Sequence, residues 1–266
     1  MSENESFTKK VSMDKKYYEE YYHLERNHWF FTARLNILES QIKKHISRNP
    51  GKVLNILNIG VATGATSQML DKYGTVTSLE YDKDCCQLLE EKTGIKALNA
   101  SILELPFEEN SFDLICCFDV IEHIEDDQTG VNEMLRVCRE NGHVFVTVPA
   151  FMFLWSHHDE INHHFRRYTR KNLLKLFETL PLKVVFNSYF NFFLFFPIAL
   201  FRLTISKLLA KKQSDSTGSD FEIMGKSGMI NSIFYKIFNA ENPILKSGLS
   251  LPVGVSLMAI VKKLQK

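Results

Sequence analysis

The stretch "KVLNILNIGVATGATSQML", residues 52 to 70, sets the fold class of this chain. It begins with a short apolar run, which is typical of a strand that is buried on both faces. Gly60 and Gly64 follow this run. Glycine allows a tight turn and lets a ligand approach the backbone closely. The stretch therefore predicts a strand, a ligand-binding loop and a helix, in that order.

Strand and helix patterns keep alternating outward from this loop. Strands are predicted over residues 52–60, 75–82, 95–100, 112–118, 143–149, 182–190 and 254–263. Helices are predicted over residues 15–47, 65–74, 83–94, 128–141 and 170–180. This alternation indicates parallel βαβ units with helices on both faces of one sheet. We therefore expect an α/β fold.

The patterns divide the chain into four segments. Residues 1–50 hold a polar tail and helices that would form a lid, and residues 51–190 hold the core. Residues 191–252 form an aromatic-rich helical insertion with a polar break at 211–220, which we expect to be mobile. Residues 253–266 return to the core as its last strand.

Composition limits the class of protein. The 266 residues are 45% hydrophobic and carry a net charge of +1, so the molecule as a whole does not attract nucleic acid. The N-terminal stretch "MSENESFTKK" lacks the apolar core of a signal peptide. The five cysteines have no CxxC spacing, which is typical of reduced thiols. We expect a cytoplasmic protein without a nucleic-acid partner.

Residues 190–212 raise the question of membrane contact. The apolar run Phe192–Phe201 is too short to cross a bilayer, which takes about 20 residues. Basic residues follow it: Arg202, Lys207, Lys211 and Lys212. The segment fits a core helix, a cap over an apolar pocket, or a helix that lies in a membrane interface. The third interpretation would make the protein membrane-peripheral.

Polar and apolar side chains end the second and third predicted strands. Glu80 comes twenty residues after Gly60 and can accept two hydrogen bonds from ribose hydroxyls. Ser101 and Ile102 end the third strand, where an adenine ring could pack. Open α/β sheets bind ligands at the carboxyl ends of their strands. The glycine spacing departs from GxGxxG, which disfavours a nicotinamide dehydrogenase.

The chain resembles a known family in five motifs. They are "LNIGVATG", "SLEYD", "LPFEENSFDLI", "DVIEH" and "ENGHVFVTVP", in this order between residues 52 and 150. Together they are similar to class I S-adenosylmethionine-dependent methyltransferases. "ERNHWFFTAR" and "LWSHHDEINHHFRRYTRKNL" are similar to a bacterial branch of type 11 and type 12 methyltransferases. The resemblance implies a Rossmann-like sheet of seven strands, one of them antiparallel, and an N-terminal lid.

The resemblance also implies which residues bind S-adenosylmethionine. Gly60 and Gly64 would lie under its methionine part, Glu80 would hold the ribose, and Phe118 and Asp119 would flank the sulfonium. The implied cofactor set in full is Asn58, Gly60, Ala62, Gly64, Glu80, Tyr81, Ser101, Ile102, Phe118 and Asp119. Three members depart from the usual family pattern, which has an acid at 58, glycine at 62 and often aspartate at 101.

Asp119, Glu122 and His123 follow the fourth predicted strand and allow three interpretations. They can begin a helix, because an acidic first turn suits the helix dipole. His123 can act as a base on an acceptor hydroxyl, with Glu122 and His164 beside it. Alternatively, Asp119, Glu122, His123 and His164 can bind a divalent metal, since carboxylate and imidazole ligands suit such ions.

Local similarities bear on the metal and on the acceptor. The stretch "DVIEH", with His164 followed by Tyr168 and Thr169, is similar to metal-using small-RNA 2′-O-methyltransferases. "DVIEH" is also similar to quinone-biosynthesis O-methyltransferases. These similarities are local and do not imply an RNA substrate. We expect O-methylation of a small or lipid-like acceptor, such as a quinol, a prenylated compound or a sugar-lipid. The alternative is a degenerate methyltransferase-like module that docks on a membrane or partner through the insertion.

Overall fold

The computed structural model describes residues 15–46, 53–178, 181–205 and 228–265. The polar N-terminal tail and the polar break at 211–220 lie outside these residues.

Seven strands form one sheet in the order β3-β2-β1-β4-β5-β7-β6. The strands are β1 (Leu54–Ile59), β2 (Gly74–Glu80), β3 (Ala97–Asn99), β4 (Phe112–Phe118), β5 (Cys138–Pro149), β6 (Leu182–Phe190) and β7 (Ser256–Lys263). Only β7 runs antiparallel to its neighbours β5 and β6. The predicted mostly parallel, Rossmann-like sheet of seven strands is therefore confirmed. The strand order reverses between β1 and β4, where such sheets bind their ligands.

Helices cover both faces of the sheet. They are α1 (Lys15–Asn27), α2 (Trp29–His45), α3 (Ala65–Leu70), α4 (Lys83–Thr93), α5 (Asp127–Val137), α6 (His157–Ile161), α7 (Arg170–Lys175), α8 (Phe195–Leu200), α9 (Gly228–Asn239) and α10 (Asn242–Ser247). One π-helical turn, Phe201–Ile205, continues α8.

The sheet divides the core into two layers. Ile56 and Leu57 are neighbours in β1 and both are fully buried, but they point to opposite faces because side chains alternate along a strand. Ile56 shares a cluster with Ile37 of α2 and Phe238 of α9, whereas Leu57 shares one with Val131 of α5. Each such side chain contributes about 1.5–3 kcal/mol on burial. Because β1 has apolar side chains on both faces, helices cover it on both sides, which suits a central position in the sheet.

The N-terminal region forms two helices, so the single helix predicted over residues 15–47 is wrong. His28 separates α1 from α2 with an extended backbone. Its Nδ1 accepts a hydrogen bond of 3.3 Å from the backbone N–H of Phe30 and so caps α2. Helix caps of this kind satisfy backbone donors that have no partner inside the helix. The break lets α1 turn toward the glycine loop while α2 packs on the sheet.

The "DVIEH" stretch starts only a short 3₁₀ turn and no α-helix, so the interpretation of Asp119 and Glu122 as a helix start holds only in this limited form. Ile121–His123 form a single 3₁₀ turn, and α5 begins only at Asp127. Asp126 caps α5 by accepting a 3.0 Å hydrogen bond from the Thr129 N–H. The carboxylates nearer the strand are therefore not the capping groups of α5.

The insertion packs against the N-terminal helices. Asn231 of α9 accepts a 2.7 Å hydrogen bond from the Trp29 N–H and donates one of 2.9 Å to the Asn27 carbonyl. Asn242 at the start of α10 accepts a 2.7 Å hydrogen bond from the Ser40 hydroxyl. The insertion and the lid segment therefore form one layer on the same face of the sheet. Within the described ranges, no helix is long and apolar enough to cross a membrane.

Candidate active site

The loop after β1 is shaped by two glycines with positive φ. Gly60 has φ +69°, and a Cβ at this position would lie 2.3 Å from Val120 Cγ2. Gly64 has φ +88°, and a Cβ there would lie 2.6 Å from Leu89 Cδ1. Only glycine adopts a positive φ and also fits this close to its neighbours without strain. The loop and the turn after β4 are therefore in close contact, as a ligand that touches both would require.

Glu80 joins the end of β2 to this loop. Its Oε2 accepts a 3.0 Å hydrogen bond from the Ala62 N–H, and its Oε1 accepts from the N–H groups of Tyr81 at 2.9 Å and Asp82 at 3.2 Å. Burial raises the pKa of Glu80, and these three donors oppose the shift. A carboxylate has about four acceptor sites, so Oε2 keeps capacity for one hydroxyl donor.

Other predicted cofactor residues take supporting positions. Asn58 is 1% exposed, and its amide nitrogen donates hydrogen bonds of 2.9 Å to the hydroxyls of Thr66 and Ser67 in α3. It therefore holds α3 from behind the loop, and its part in cofactor binding stays a prediction. Phe118 is buried, and its ring packs edge-on against Phe145 and lies 5.8 Å from the guanidinium of Arg34. Its place beside the sulfonium stays a prediction.

The predicted adenine-binding residues follow β3. The Ser101 hydroxyl accepts a 3.1 Å hydrogen bond from the Leu103 N–H, and Ile102 is 6% exposed beside Gly130 of α5. Tyr81 is 72% exposed at the end of β2. The three residues lie at strand ends on the edge where the glycine loop lies. Their roles stay predictions.

Helix α1 contacts the glycine loop through Glu25 and Arg26, the first two residues of the "ERNHWFFTAR" motif, whose individual roles were not predicted. The Glu25 carboxylate accepts a hydrogen bond from the Thr63 hydroxyl, and burial raises the pKa of Glu25. Arg26 donates 3.0 Å to the Thr63 carbonyl and 3.2 Å to Gln68 Oε1. Both residues lie inside the N-terminal lid predicted over residues 1–50. These contacts hold the C-terminal end of α1 against the loop that follows β1.

Asp119 faces an arginine from α2. Arg34 Nη2 lies 2.7 Å from Asp119 Oδ2, and the Thr147 hydroxyl donates 3.0 Å to Asp119 Oδ1. The Arg34 side chain is 8% exposed. Asp119 itself has φ +57°, a backbone conformation that aspartate tolerates better than most residues. These partners orient the Asp119 carboxylate toward α2.

Glu122, His123 and His164 converge on one point. Each offers a ligand atom, and these atoms lie within 4.8 Å of one another. The imidazole rings of His123 and His164 are 4.5 Å apart between centroids. Asp119 is not part of this group, so the predicted four-residue metal set is reduced to three because Arg34 and Thr147 hold the Asp119 carboxylate.

The Glu122 carboxyl is buried without a hydrogen-bond partner. The residue is 1% exposed, and neither Oε1 nor Oε2 has a partner. Burial, and then the charge of Asp119, raise the pKa of Glu122 well above its usual range. Burial of the ring and the neighbouring imidazole of His164 lower the pKa of His123 to about 4. His123 is therefore neutral near pH 7 in this arrangement, and Glu122 is protonated more readily than an exposed carboxyl.

His164 is oriented by a buried ion pair. Its Nδ1 lies 2.8 Å from Asp159 Oδ1, and a carboxylate can only accept, so Nδ1 carries the proton and Nε2 is left as the acceptor. Arg167 binds the same carboxylate through Nε at 2.8 Å and Nη2 at 2.9 Å. Asp159 is completely buried. Both partners belong to the histidine-rich segment that the sequence singled out, but their pairing was not predicted.

Tyr168 and Thr169 contribute no ligand atom to the cluster, although the Tyr168 hydroxyl lies 3.3 Å from the Ile121 carbonyl, beside Glu122. The Tyr168 hydroxyl donates a 2.7 Å hydrogen bond to Asp127, and the Thr169 hydroxyl caps α7 by accepting from the Asn172 N–H at 3.3 Å. Of the three residues whose spacing resembles small-RNA methyltransferases, only His164 therefore contributes to the cluster.

A cavity of about 160 Å³ opens over this cluster. Its floor holds Glu122, His123 and His164, and aromatic side chains from α1, α2 and the insertion line its walls. The aromatic members of the lining are Tyr21, Trp29, Phe30, Phe31 and Phe201. A cavity of about 150 Å³ lined by apolar groups accommodates a benzene ring. The enclosed volume therefore fits one ring, with the rest of a larger ligand outside.

The strand order and strand directions of the sheet are those of the class I methyltransferase fold. The sequence model of a methyltransferase-domain family matches residues 57–146, from within β1 to within β5. The chain is therefore similar to S-adenosylmethionine-dependent methyltransferases in fold and, over this segment, in sequence.

Relatives of known sequence match part of the chain. An uncharacterised protein of Methanocaldococcus jannaschii is 29% identical over 157 residues, which cover 59% of this chain and 65% of that protein. A demethylmenaquinone methyltransferase of Staphylococcus aureus is 26% identical over 130 residues, which cover 43% of this chain and 54% of that enzyme. The matches thus span about half to two thirds of these relatives.

Solved structures support the fold. A methyltransferase of Thermotoga maritima has a TM-score of 0.52 at 17% identity, covering 94% of this chain and 97% of that one. The cyclase SpnF has a TM-score of 0.56 at 11% identity, covering 95% of this chain and 96% of that one. At such identities the likeness concerns the fold alone, so the reaction has to be argued from the site.

Proposed function

We propose that the protein transfers the methyl group of S-adenosylmethionine to an oxygen atom of a small acceptor with an apolar ring. The convergence of Glu122, His123 and His164 on the floor of an aromatic-walled cavity carries the proposal. Glu122 and His123 follow β4 directly, and Asp119, which also lines the cavity, is the residue that the family resemblance puts beside the sulfonium. The acceptor would thus meet the methyl group and the basic side chains at one place.

The cofactor would lie along the carboxyl edge of the sheet. Gly60 and Gly64 leave room for it, and Glu80 has one acceptor site left for a ribose hydroxyl. Bound S-adenosylmethionine supplies an electrophilic methyl group. The chain then has to hold an acceptor oxygen in line at about 3–3.5 Å and to remove its proton. His123 is neutral and opens into the cavity, so it would accept that proton.

A divalent cation is the second candidate for this floor, and the residues present fit one. Glu122 offers two buried oxygens without partners, and Asp159 orients His164 so that Nε2 faces away from it. Metal-bound histidines commonly have such a carboxylate on the other ring nitrogen. Glu122, His123 and His164 would hold the ion, which when bound would lower the pKa of the acceptor hydroxyl.

A quinol or similar aromatic acceptor is favoured by the cavity walls and by the demethylmenaquinone methyltransferase relative. A lipid-like tail would extend toward the insertion, where several apolar side chains are exposed. They are Phe193, Phe196, Leu200 and Leu203. Phe196, Leu200 and Leu203 recur at helical spacing, which suits one face lying in a membrane interface. We propose peripheral membrane contact through this face, within the region of residues 190–212.

Methyl transfer can be tested with purified protein, S-adenosylmethionine and a panel of phenols and reduced quinones. We expect S-adenosylhomocysteine to form with at least one acceptor. His123→Ala should lower kcat by about 10²–10⁴-fold, which is typical of losing a general base. His157→Ala is the matched control, because His157 is an exposed histidine at the start of α6 that pairs with Glu160. Equal kcat in the two variants would rule out His123 as the base.

The metal alternative predicts a different pattern in the same assay. If the floor binds an ion, extensive dialysis against a chelator lowers turnover and added Mg²⁺, Mn²⁺ or Zn²⁺ restores it. Glu122→Gln should then lose bound metal as measured by mass spectrometry of the ion. Turnover that is unaffected by the chelator, together with no metal in the wild type, would exclude this alternative.

The degenerate-module alternative makes the opposite prediction for turnover. Such a protein would bind S-adenosylmethionine and sediment with liposomes, but it would yield no S-adenosylhomocysteine with any acceptor. Phe196→Ser with Leu200→Ser tests the proposed membrane face, because both side chains are more than 60% exposed and their loss should not unfold the protein. We expect the double variant to lose liposome binding and to keep cofactor binding.

A further inference from the structure

Asn191 presents an unpartnered amide to the acceptor cavity. The residue follows β6 directly, is 1% exposed and lines the cavity. Neither its Oδ1 nor its Nδ2 has a hydrogen-bond partner. Buried polar side chains nearly always have partners, because an unmet hydrogen bond in the interior destabilises the folded state. A buried amide that faces a cavity is therefore placed to bind whatever fills it.

The backbone around Asn191 is fixed from two sides. Its N–H donates 2.6 Å to Glu241 Oε1, and the N–H of Phe192 donates 2.9 Å to Glu241 Oε2. The Asn191 carbonyl accepts a 3.4 Å hydrogen bond from the Val255 N–H at the start of the last strand. Glu241 is fully buried. These bonds hold Asn191 at φ +58°, which asparagine tolerates better than most residues.

This arrangement fits a binding residue better than a structural one. Glycine would satisfy φ +58° without a side chain, and a structural asparagine would use its amide to bind neighbouring groups. Here the backbone alone makes the structural contacts, and the amide makes none. The side chain lies in the same cavity as Glu122 and His123.

We propose that Asn191 binds a second oxygen function of the acceptor, apart from the oxygen that is methylated. An amide both donates and accepts, and a hydroxyl can satisfy both of these needs. The acceptor class is therefore a ring with two hydroxyl groups: one faces His123 and the other faces Asn191. This inference rests on the proposed function for the identity of the first group. Glu241 is a positioning residue, because it acts through the backbone N–H groups of Asn191 and Phe192 and does not line the cavity.

Ligand-observed NMR titrations of the whole chain with phenol, catechol, resorcinol and hydroquinone test the proposal. We expect at least one of the diols to bind the wild type about five- to tenfold more tightly than phenol, the gain of a partly buried hydrogen bond. Asn191→Gly should bring that diol to the affinity of phenol and leave phenol unchanged. Equal affinities for all four probes in the wild type, or a preference that survives in Asn191→Gly, would overturn it.

Stability measurements separate binding from a structural role. Asn191→Gly relieves the φ requirement and removes the unpartnered amide, so we expect the same or a higher midpoint of urea unfolding. Asn141→Gly is the matched control, because Asn141 has φ +62° in an exposed turn between strand residues. A large loss of stability in Asn191→Gly alone would show that the side chain is structural and would overturn the proposal.

Glu241→Gln provides the readout for positioning. It leaves the cavity lining in place but takes an acceptor from the N–H of Asn191 or Phe192. We expect the diol-to-phenol selectivity to fall while phenol affinity is kept. An unchanged selectivity would refute the positioning role. Binding of S-adenosylmethionine, measured separately, reports on the proposed function, so its failure is distinguishable from failure of the Asn191 assignment.

Discussion

Glu241 gives the fold a pH dependence that can be worked out from its surroundings. The carboxyl is completely buried between α9 and α10, and it accepts the N–H groups of Asn191 and Phe192. Burial raises the pKa of Glu241 to about 7, although the two donors oppose the shift. The ordinary value in an unfolded chain is 4.5. The folded protein therefore binds a proton at this site over a range in which the unfolded chain has released it.

The sign of the effect follows from this difference. Because the pKa of Glu241 is higher in the folded state, protonation of this group favours folding. The contribution is complete below about pH 4.5 and is lost as the pH rises through about 7. One pKa unit corresponds to about 1.4 kcal/mol, so the whole loss is about 3 kcal/mol. Between about pH 5 and about pH 8, the free energy of unfolding should fall by about 2.5 kcal/mol from this group alone.

Urea unfolding of the wild type and Glu241→Gln at several pH values measures this slope. Glutamine cannot ionise, so the difference in unfolding free energy between the two proteins should change by about 2.5 kcal/mol over the range, in favour of the variant at high pH. Glu140→Gln, in an exposed turn of β5, controls for the loss of a charge. Parallel pH profiles for the wild type and Glu241→Gln would refute the reasoning.

Three further substitutions probe the cofactor loop and the site. Gly60→Ala should abolish binding of S-adenosylmethionine in a calorimetric titration and destabilise the fold, because its Cβ would lie 2.3 Å from Val120; normal binding would contradict the assigned loop. Asp159→Asn should cost about 3–5 kcal/mol in urea unfolding, since it leaves the buried guanidinium of Arg167 unpaired; a loss below about 1 kcal/mol would show that the pair is not needed. Arg34→Met should cost about 2 kcal/mol and weaken cofactor binding, and an unchanged affinity would place its ion pair outside the cofactor site.

The sheet was predictable because its strands are short apolar runs between clear turn residues. Six of the seven predicted strands match the observed ones within a few residues, and β5 begins earlier, at Cys138. The break at His28 was not predictable in the same way. Apolar spacing continues across it, and only a side chain that accepts the Phe30 N–H ends one helix and begins the next. Local pattern therefore fixes the type of an element better than its ends.

The candidate site was predictable only where its residues are neighbours in sequence. Glu122 and His123 stood out because they follow an apolar strand, and His164 lies in a histidine-rich segment. The roles of Arg34 and Asn191 depend on contacts between segments far apart in the chain. Arg34 ends the "ERNHWFFTAR" motif, but its contact with Asp119 could not be predicted from that motif, and an asparagine after a strand, like Asn191, is common. The same reason explains why Asp119 was assigned to the metal set and proved to be paired with Arg34.

Calorimetric titration of the purified protein with S-adenosylmethionine tests the central claim most directly. We expect saturable binding at one site per chain, and we expect S-adenosylhomocysteine to compete for it. The contradicting result is the absence of any binding by well-folded wild-type protein at millimolar concentrations of either compound.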